Sequence, residues 1–569
     1  MASTIAMYTG LSGLNANARN LDVIGNNIAN VNTTAFKSNR MLFASQFSRN
    51  ISLGSAPGEV NGGSNPAQIG LGTTIGGTQR NFSSGSLATT GDSRDLAIEG
   101  EGFFIVSRGT DSFYTRAGAF RQNSANELVT ISGERLMGYG VDADFNITPT
   151  LTSLSIAIGE RRLAEATENV HFTGNLDAGG TTASRGARYT FAPITGTMGP
   201  LTTASLLTDI DEPVMGGALF TAGEFIEIGG VEKGGRQLPS ARLEVTATTT
   251  LQDYLTFLQQ ALGIDPSAGA NPDGFTPGAS FDAMTGIITI TGNVGSRNDI
   301  ELGAADIRRL SAAGAQLSTP FSPTRATAAD GESVRTTFVV YDSLGNAITA
   351  DLTMTKVAGS NGAGTTWRYQ LESADDSDVN LLIGGGTVQF DQLGRLAETS
   401  SPITATINRA GVGSAEPGTF NVLLSSTSGT VSALSGQASN LAAKFQDGAE
   451  LGILSSFSVG ANGIITGSFS NGRTRPIGQV ALAKFANPEG LVDVGSNLFK
   501  VGPNSGTPIE TTPTLLGAGR LVGGALEQSN VDLAEEFIKL IQATTGYSAS
   551  SRVITTTDQL FQQLLVLGR

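Results

Sequence analysis

Residues 533–561 read LAEEFIKLIQATTGYSASSRVITTTDQLF, and within that stretch Leu533, Leu540, Tyr547, Ile554 and Phe561 recur every seventh residue. A repeat of about 3.5 residues per turn is the period of a coiled-coil seam, so the stretch reads as a long helix that wants a partner. Phe537 and Leu565 occupy the adjoining seam position, and Ser529 and Asp532 stand ahead of the run as a capping pair. The other end of the chain has the same texture. Met7, Leu14, Leu21 and Ile28 fall seven apart, with Leu11, Ala18, Ile24 and Val31 on a neighbouring stripe. Residues 4–31 and 533–561 would each form a helix of about 42 Å, at ~1.5 Å per residue.

Two ordinary amphipathic helices of a globular core would share this pattern. Two facts favour pairing and assembly instead. Neither segment has a helical neighbour in sequence, and some 500 residues of strand-like chain lie between them. Isolated helices are marginal in water, so each seam asks for at least one partner helix, from this chain or from other subunits. Met7, Leu11, Leu14, Leu21, Ile28, Leu533, Phe537, Leu540, Tyr547, Ile554 and Phe561 are therefore the candidate assembly residues.

Between the helices the texture is β. Residues 51–93 are dense in Gly, Ser, Asn and Thr, with turn signals at Asn61-Gly62 and Gly62-Gly63, and read as an extended or looped connector. Beyond about residue 94, short apolar runs such as Gly102 to Val106, Val334 to Tyr341 and Gly478 to Phe485 alternate with Gly/Asn/Asp/Pro clusters. That rhythm predicts sandwiches or barrels in place of βαβ units. One helix interrupts it, with Leu251, Tyr254, Leu255, Leu258 and Leu262 at helical spacing.

Composition narrows the chemistry. The 569 residues include 74 Gly, nearly twice the usual share of about 7%. With no Cys, thiolate chemistry, disulfides and cysteine-ligated metals are excluded, and His171 alone makes a multi-histidine metal site impossible. A formal net charge of −15 without a basic cluster argues against a nucleic-acid partner. No run approaches the ~18–20 apolar residues that span a bilayer. The first basic residue is Arg19 and no solid apolar stretch precedes it, so no cleavable secretory signal is expected.

Catalytic motifs are likewise missing. The sequence contains no GxxxxGK[ST], GxGxxG or GxSxG. Asp142, Asp144 and Asn146 begin like a calcium loop, but the sixth position is Ile147 and the twelfth Ser153, where Gly and Glu are required. Asp375, Asp376 and Asp378 read as a solvated turn, and His171 beside Phe172 as a packed or surface residue. No cofactor or metal is expected, and an enzyme is disfavoured.

Six blocks carry a resemblance. Residues 20–37, NLDVIGNNIANVNTTAFK, resemble the signature of the axial proteins of the bacterial flagellum, the rod, hook and hook-associated proteins. Residues 70–106 and 114–140 look like the next blocks of the same family. VYDSLG at 340–345 with the run to Trp367 and Tyr369, SNGRTRPIGQVALAKFANPEGLVDVG at 470–495 and GGALEQSNVDLAEEF at 523–537 are similar to its hook branch. Where the family usually carries longer polar side chains before the tyrosine, this chain reads TTGYSASS at 544–551, and residues 179–330 match no block.

The resemblance implies a mainly β multidomain subunit, with sandwich- or barrel-like outer domains and paired terminal α-helices forming a coiled-coil domain. The expected domains are 1–45 with 525–569 (helical), 46–70 (connector), 71–172 with 430–520 (inner β), 173–180 with 331–425 (middle β), and 181–330 (an inserted outer domain, mostly β with one helix). It further implies a structural hook subunit that polymerises into a curved tube acting as a universal joint. Implied partners are further copies of the chain, the hook cap, the distal rod, the hook–filament junction proteins and the flagellar type III export apparatus, at an extracellular site. A distal rod or hook-associated subunit is the nearest alternative, and a secreted β-rich adhesin or surface-layer protein a more distant one.

Overall fold

The computed structural model of the chain describes residues 4–197, 199–212, 216–360, 364–397, 403–426 and 429–567. Residues 1–3 and 568–569, the outer limits of the expected helical domain, lie outside the described residues. Among the described residues three α-helices, α1 (Thr4–Ala29), α2 (Leu251–Ala261) and α3 (Leu533–Leu567), punctuate a mostly β chain. The chain divides into two compact units, residues 1–161 with 453–569 and residues 162–452.

In the first unit, α1 and α3 pack together and the remainder is sheet. α1 ends at Ala29, two residues short of the expected limit. Asn30 turns back on the last helical turn through its side chain, donating to the Asn26 carbonyl at 2.9 Å, and Thr33 N–H bonds Asn30 O. α3 outruns its expected end by six residues, because 562–567 hold only Gln, Leu and Val with no Gly or Pro to stop it. Asp532 caps its start, accepting from Ala534 N–H at 2.8 Å and Glu535 N–H at 3.3 Å, and Glu535 and Glu536 complement the helix dipole.

The β part of this unit is woven from both halves of the chain. Strands run in the order Ile464–Phe469, Thr474–Val480, Arg135–Val141, Phe103–Arg108, Asp111–Thr115, Leu498–Lys500. Leu96–Glu99 pairs with Arg520–Gly523, and Leu87–Thr89 with Ala525–Glu527. Phe103, Tyr114, Phe485 and Phe499 fill the core edge-to-face, with centroids 4.8–6.0 Å apart.

Residues 39–80 depart from the expected connector. They form an antiparallel ribbon, Asn39–Ser45 against Thr73–Arg80 and Ser48–Ser52 against Ala67–Gly70. Isolated bridges Ser55–Ser64 and Gly58–Asn61 carry it to its tip. Gly54 at φ +77° lies so close to the opposite strand that a Cβ there would meet Ser64 O at 2.3 Å, which only glycine tolerates. The ribbon lacks a core: Phe47 is 89% exposed, Leu53 80% and Val60 fully.

The second unit holds two cores. In one, the sheet Ser333–Tyr341, Ala347–Ser360, Gly364–Ser373, Leu382–Phe390 faces a second sheet built on Asn169–Asn175 with Ile403–Ile407, Gly418–Leu423 and Asn440–Gln446. Trp367, Leu352, Phe390, Phe172 and Phe420 fill this sandwich. The turn inside VYDSLG opens it: Asp342 Oδ1 accepts Leu344 and Asn346 N–H, both at 2.9 Å, and Gly345 takes φ +81°.

The other core belongs to residues 186–327 and packs α2 on three small sheets. Thr250 and Asp253 form a capping box, and Leu251, Tyr254, Leu255 and Leu258 are buried, with Leu262 as C-cap. This core docks on the polar face of the first sheet. Lys233 is paired with Glu372, Arg236 with Glu372 at 2.8 Å and with Asp351, all at least partly buried.

Candidate assembly interface

The seam between α1 and α3 is made of small residues. A Cβ at Gly10 would lie 3.0 Å from Ile554 Cγ1 and 3.3 Å from Ser550 O, one at Gly13 2.8 Å from Ser550 Oγ, and one at Gly546 3.0 Å from Asn17 Oδ1. Close backbone approach explains why glycine is tolerated inside helices that it intrinsically weakens by about 1 kcal/mol each. Side chains on the seam reinforce their own helices: Asn17 Nδ2 donates to Gly13 O and Ser550 Oγ to Gly546 O, both at 2.8 Å. On α1 the fully buried positions are Gly10, Ala16, Ile24 and Asn27, and on α3 Glu536, Ala543 and Thr557.

The large apolar side chains lie mostly outside this seam. Ile554 is partly buried against Gly10, and Leu14, Leu21, Ile28, Leu540 and Phe561 are also partly buried. Met7, Leu11, Leu533, Phe537 and Tyr547 are exposed, Phe537 by 50%. Further apolar residues that the heptad reading passed over are exposed too: Tyr8, Ile538, Ile541, Val553, Leu560 and Leu564. The pair is thus the inverse of a helical hairpin in a globular core. Apolar residues surround α3, and one partner helix cannot cover them. The missed signal was legible as a pattern, since Gly10, Gly13, Asn17, Asn20, Ile24 and Asn27 alternate three and four apart.

Beneath the helices, polar side chains tie distant segments together. Asn27 Nδ2 donates to Asn39 O at 2.7 Å and to Glu536 Oε2 at 3.1 Å, while Asn39 N–H returns a bond to Asn27 Oδ1 at 3.0 Å. Asn530 accepts from Ser38 N–H at 2.8 Å and donates to Asn81 O at 2.9 Å. On the first turns of α3, burial lowers the proton affinity of Lys539, but hydrogen bonds to Glu536 and Glu535 outweigh it and raise its pKa.

The acidic and histidine candidates are spent on local structure. Asp142 Oδ1 accepts Asp144 and Asn146 N–H, Asp376 and Asp378 bind Asn408, and Asp375 accepts Thr349 N–H. His171 lies in the strand Asn169–Asn175 with its ring 5.6 Å from Phe445. Among the described residues no helix is long and apolar enough to cross a membrane.

Four family models match: "Flagella basal body rod protein" at residues 7–37, "Flagellar hook protein FlgE/F/G D1 domain" at 97–160, "Flagellar basal body protein FlaE D2 domain" at 310–449 and "Flagellar basal body rod FlgEFG protein C-terminal" at 522–567. The first and last fall on α1 and α3. The chain is 29% identical over 572 residues to the flagellar hook protein FlgE of Treponema pallidum, covering 99% of both chains. It is 28% identical over 586 residues to that of Borreliella burgdorferi, again with 99% of each covered. Against the Escherichia coli protein of the same name it is 26% identical over 566 residues, covering 99% of this chain and 100% of that one.

Proposed function

The chain belongs to the flagellar rod and hook family and is a structural subunit of the hook, not an enzyme, and from that premise we infer that its inside-out helix pair is the surface through which copies join into a tube. The carrying observation is the exposure of Met7, Leu11, Phe537, Ile541 and Leu560 on helices already zipped by glycine. Each such side chain is about half exposed, so its burial by a neighbour contributes about 0.7–1.5 kcal/mol. Faces that are not self-complementary generate an open helix, which closes laterally into a hollow cylinder.

In this reading the helix pairs line the inside. The tube is curved and transmits torque while it bends. A chain with only 15% charged residues suits that task, because surfaces with few ion pairs change register at small cost, exposed pairs contributing only ~0–1 kcal/mol each. The ribbon of residues 39–80 acts as a brace between subunits, its exposed apolar tip supplying the contact. The subunit passes through the type III export apparatus and assembles outside the cell under the hook cap, between the distal rod and the hook–filament junction proteins. The match of residues 310–449 and the full-length correspondence with hook proteins disfavour a rod or hook-associated role.

Leu540→Asp and Phe537→Asp test this. Each puts a charge into the inferred interface, so polymer should vanish from the pellet on sedimentation while the β circular dichroism stays as in the parent. Tubes formed at the parent's yield would overturn the interface.

A further inference from the structure

Three charges from distant parts of the chain are buried together at the base of the helix pair. Lys37 lies eight residues beyond the end of α1, Glu527 six residues before the start of α3, and Arg116 in the β-domain. Their side chains are 1%, 0% and 4% exposed. Lys37 Nζ donates to Glu527 Oε1 at 2.7 Å and to Ser83 O at 2.7 Å, and the same carboxylate oxygen accepts Gly85 N–H at 2.9 Å. Arg116 stands 3.6 Å from Glu527 Oε2, donates to the carbonyls of Ile98 at 3.2 Å and Gly100 at 2.6 Å, and lies over the Phe103 ring. The next anion toward Arg116 is Glu101, exposed and paired with Lys484. Desolvation pulls the Lys37 pKa down, Glu527 opposes it, and Arg116 adds to the lowering.

The cluster therefore holds two cations and one anion, and the order in which they arrive matters. Arg116 is built into the β-domain by backbone carbonyls and needs an anion. Glu527 supplies it, giving a neutral pair. Lys37 arriving first would set a second cation beside Arg116 in a site closed to water, which is strongly unfavourable.

We propose that Lys37, Glu527 and Arg116 form a charge lock that orders the two termini in sequence, with the C-terminal segment seated on Arg116 before the N-terminal segment closes over it. The lock deepens the assembly reading above and rests on it. It makes the docking of both helices one cooperative event with a defined register, because neither Lys37 nor the helix it follows gains its place until Glu527 is seated.

The test compares K37M, E527Q and the double variant in the full chain, reading hydrogen exchange of residues 30–40 and 525–531 together with the critical concentration for polymer. E527Q strands two buried cations and should deprotect both segments, raising the critical concentration on the order of 100-fold. K37M leaves the Arg116–Glu527 pair intact, so only residues 30–40 lose protection and the rise is about 10-fold. Adding K37M to E527Q removes one stranded cation and should bring the double variant back below E527Q alone, a suppression that a merely additive pair of packing defects does not give. Equal effects of the two single variants, or a double variant worse than E527Q, would overturn the lock. Should the parent chain form no polymer, the assembly reading fails, while exchange in the soluble chain still reads the lock.

Discussion

Replacing Gly10 by Val tests whether α1 and α3 of one chain meet as closely as described. The first added carbon lies 3.0 Å from Ile554 Cγ1, 3.3 Å from Ser550 O and 3.4 Å from Val553 Cγ1, so α3 must shift before the two further methyl groups find room. Overpacking of this kind costs about 1–3 kcal/mol. Valine is a better helix former than glycine and returns about 0.3–0.5 kcal/mol. The net loss of roughly 0.5–2.7 kcal/mol per subunit should raise the critical concentration about 2–100-fold. Gly25, on the same helix, supplies the control, since a Cβ there meets nothing within 4 Å. Gly25→Ala should strengthen α1 by about 1 kcal/mol and lower the critical concentration. Sedimentation of polymer across a concentration series measures both. G10V polymerising like the parent, or G25A proving the more damaging, would refute the close seam.

Other consequences are as direct. Burial raises the proton affinity of Asp342, but bonds from the Asn346 side chain and backbone, Leu344 N–H and Arg409 outweigh it and hold the carboxyl below its ordinary 3.8. Its stabilisation is complete above that value and disappears as pH falls through the lower folded value, so Asp342→Asn should lose about 1–3 kcal/mol near neutrality and flatten the acid limb of a melting-temperature profile below pH ~4. Glu372→Gln strips the buried Lys233 of its counter-ion and should destabilise its site by about 3 kcal/mol, read as faster hydrogen exchange around residues 229–238 and 260–265. Deleting residues 51–69 shortens the ribbon without touching a core, so the melting temperature should hold while polymer stiffness and curvature change in micrographs. Unchanged curvature would remove the brace.

What was legible in the sequence follows from range. The heptads at both ends and the capping Asp532 are local patterns, and the helices stand where those patterns place them, with ends displaced only where Asn30 turns the chain and where nothing stops α3. The small-residue seam was not read, because Gly10, Gly13 and Gly546 score as helix breakers until a second backbone approaches them. The ribbon reads only as an extended or looped connector, because strands exposed on both faces carry no apolar alternation. The buried charges were invisible, since Lys37 and Glu527 are separated by 490 positions and meet only through the fold.

Electron microscopy of the purified full-length chain under polymerising conditions tests the central claim most directly. The account predicts curved, hollow tubes of uniform diameter whose formation buries the exposed apolar faces of α1 and α3. Monomers that keep both helices folded without associating, or amorphous aggregates in place of tubes, would contradict it.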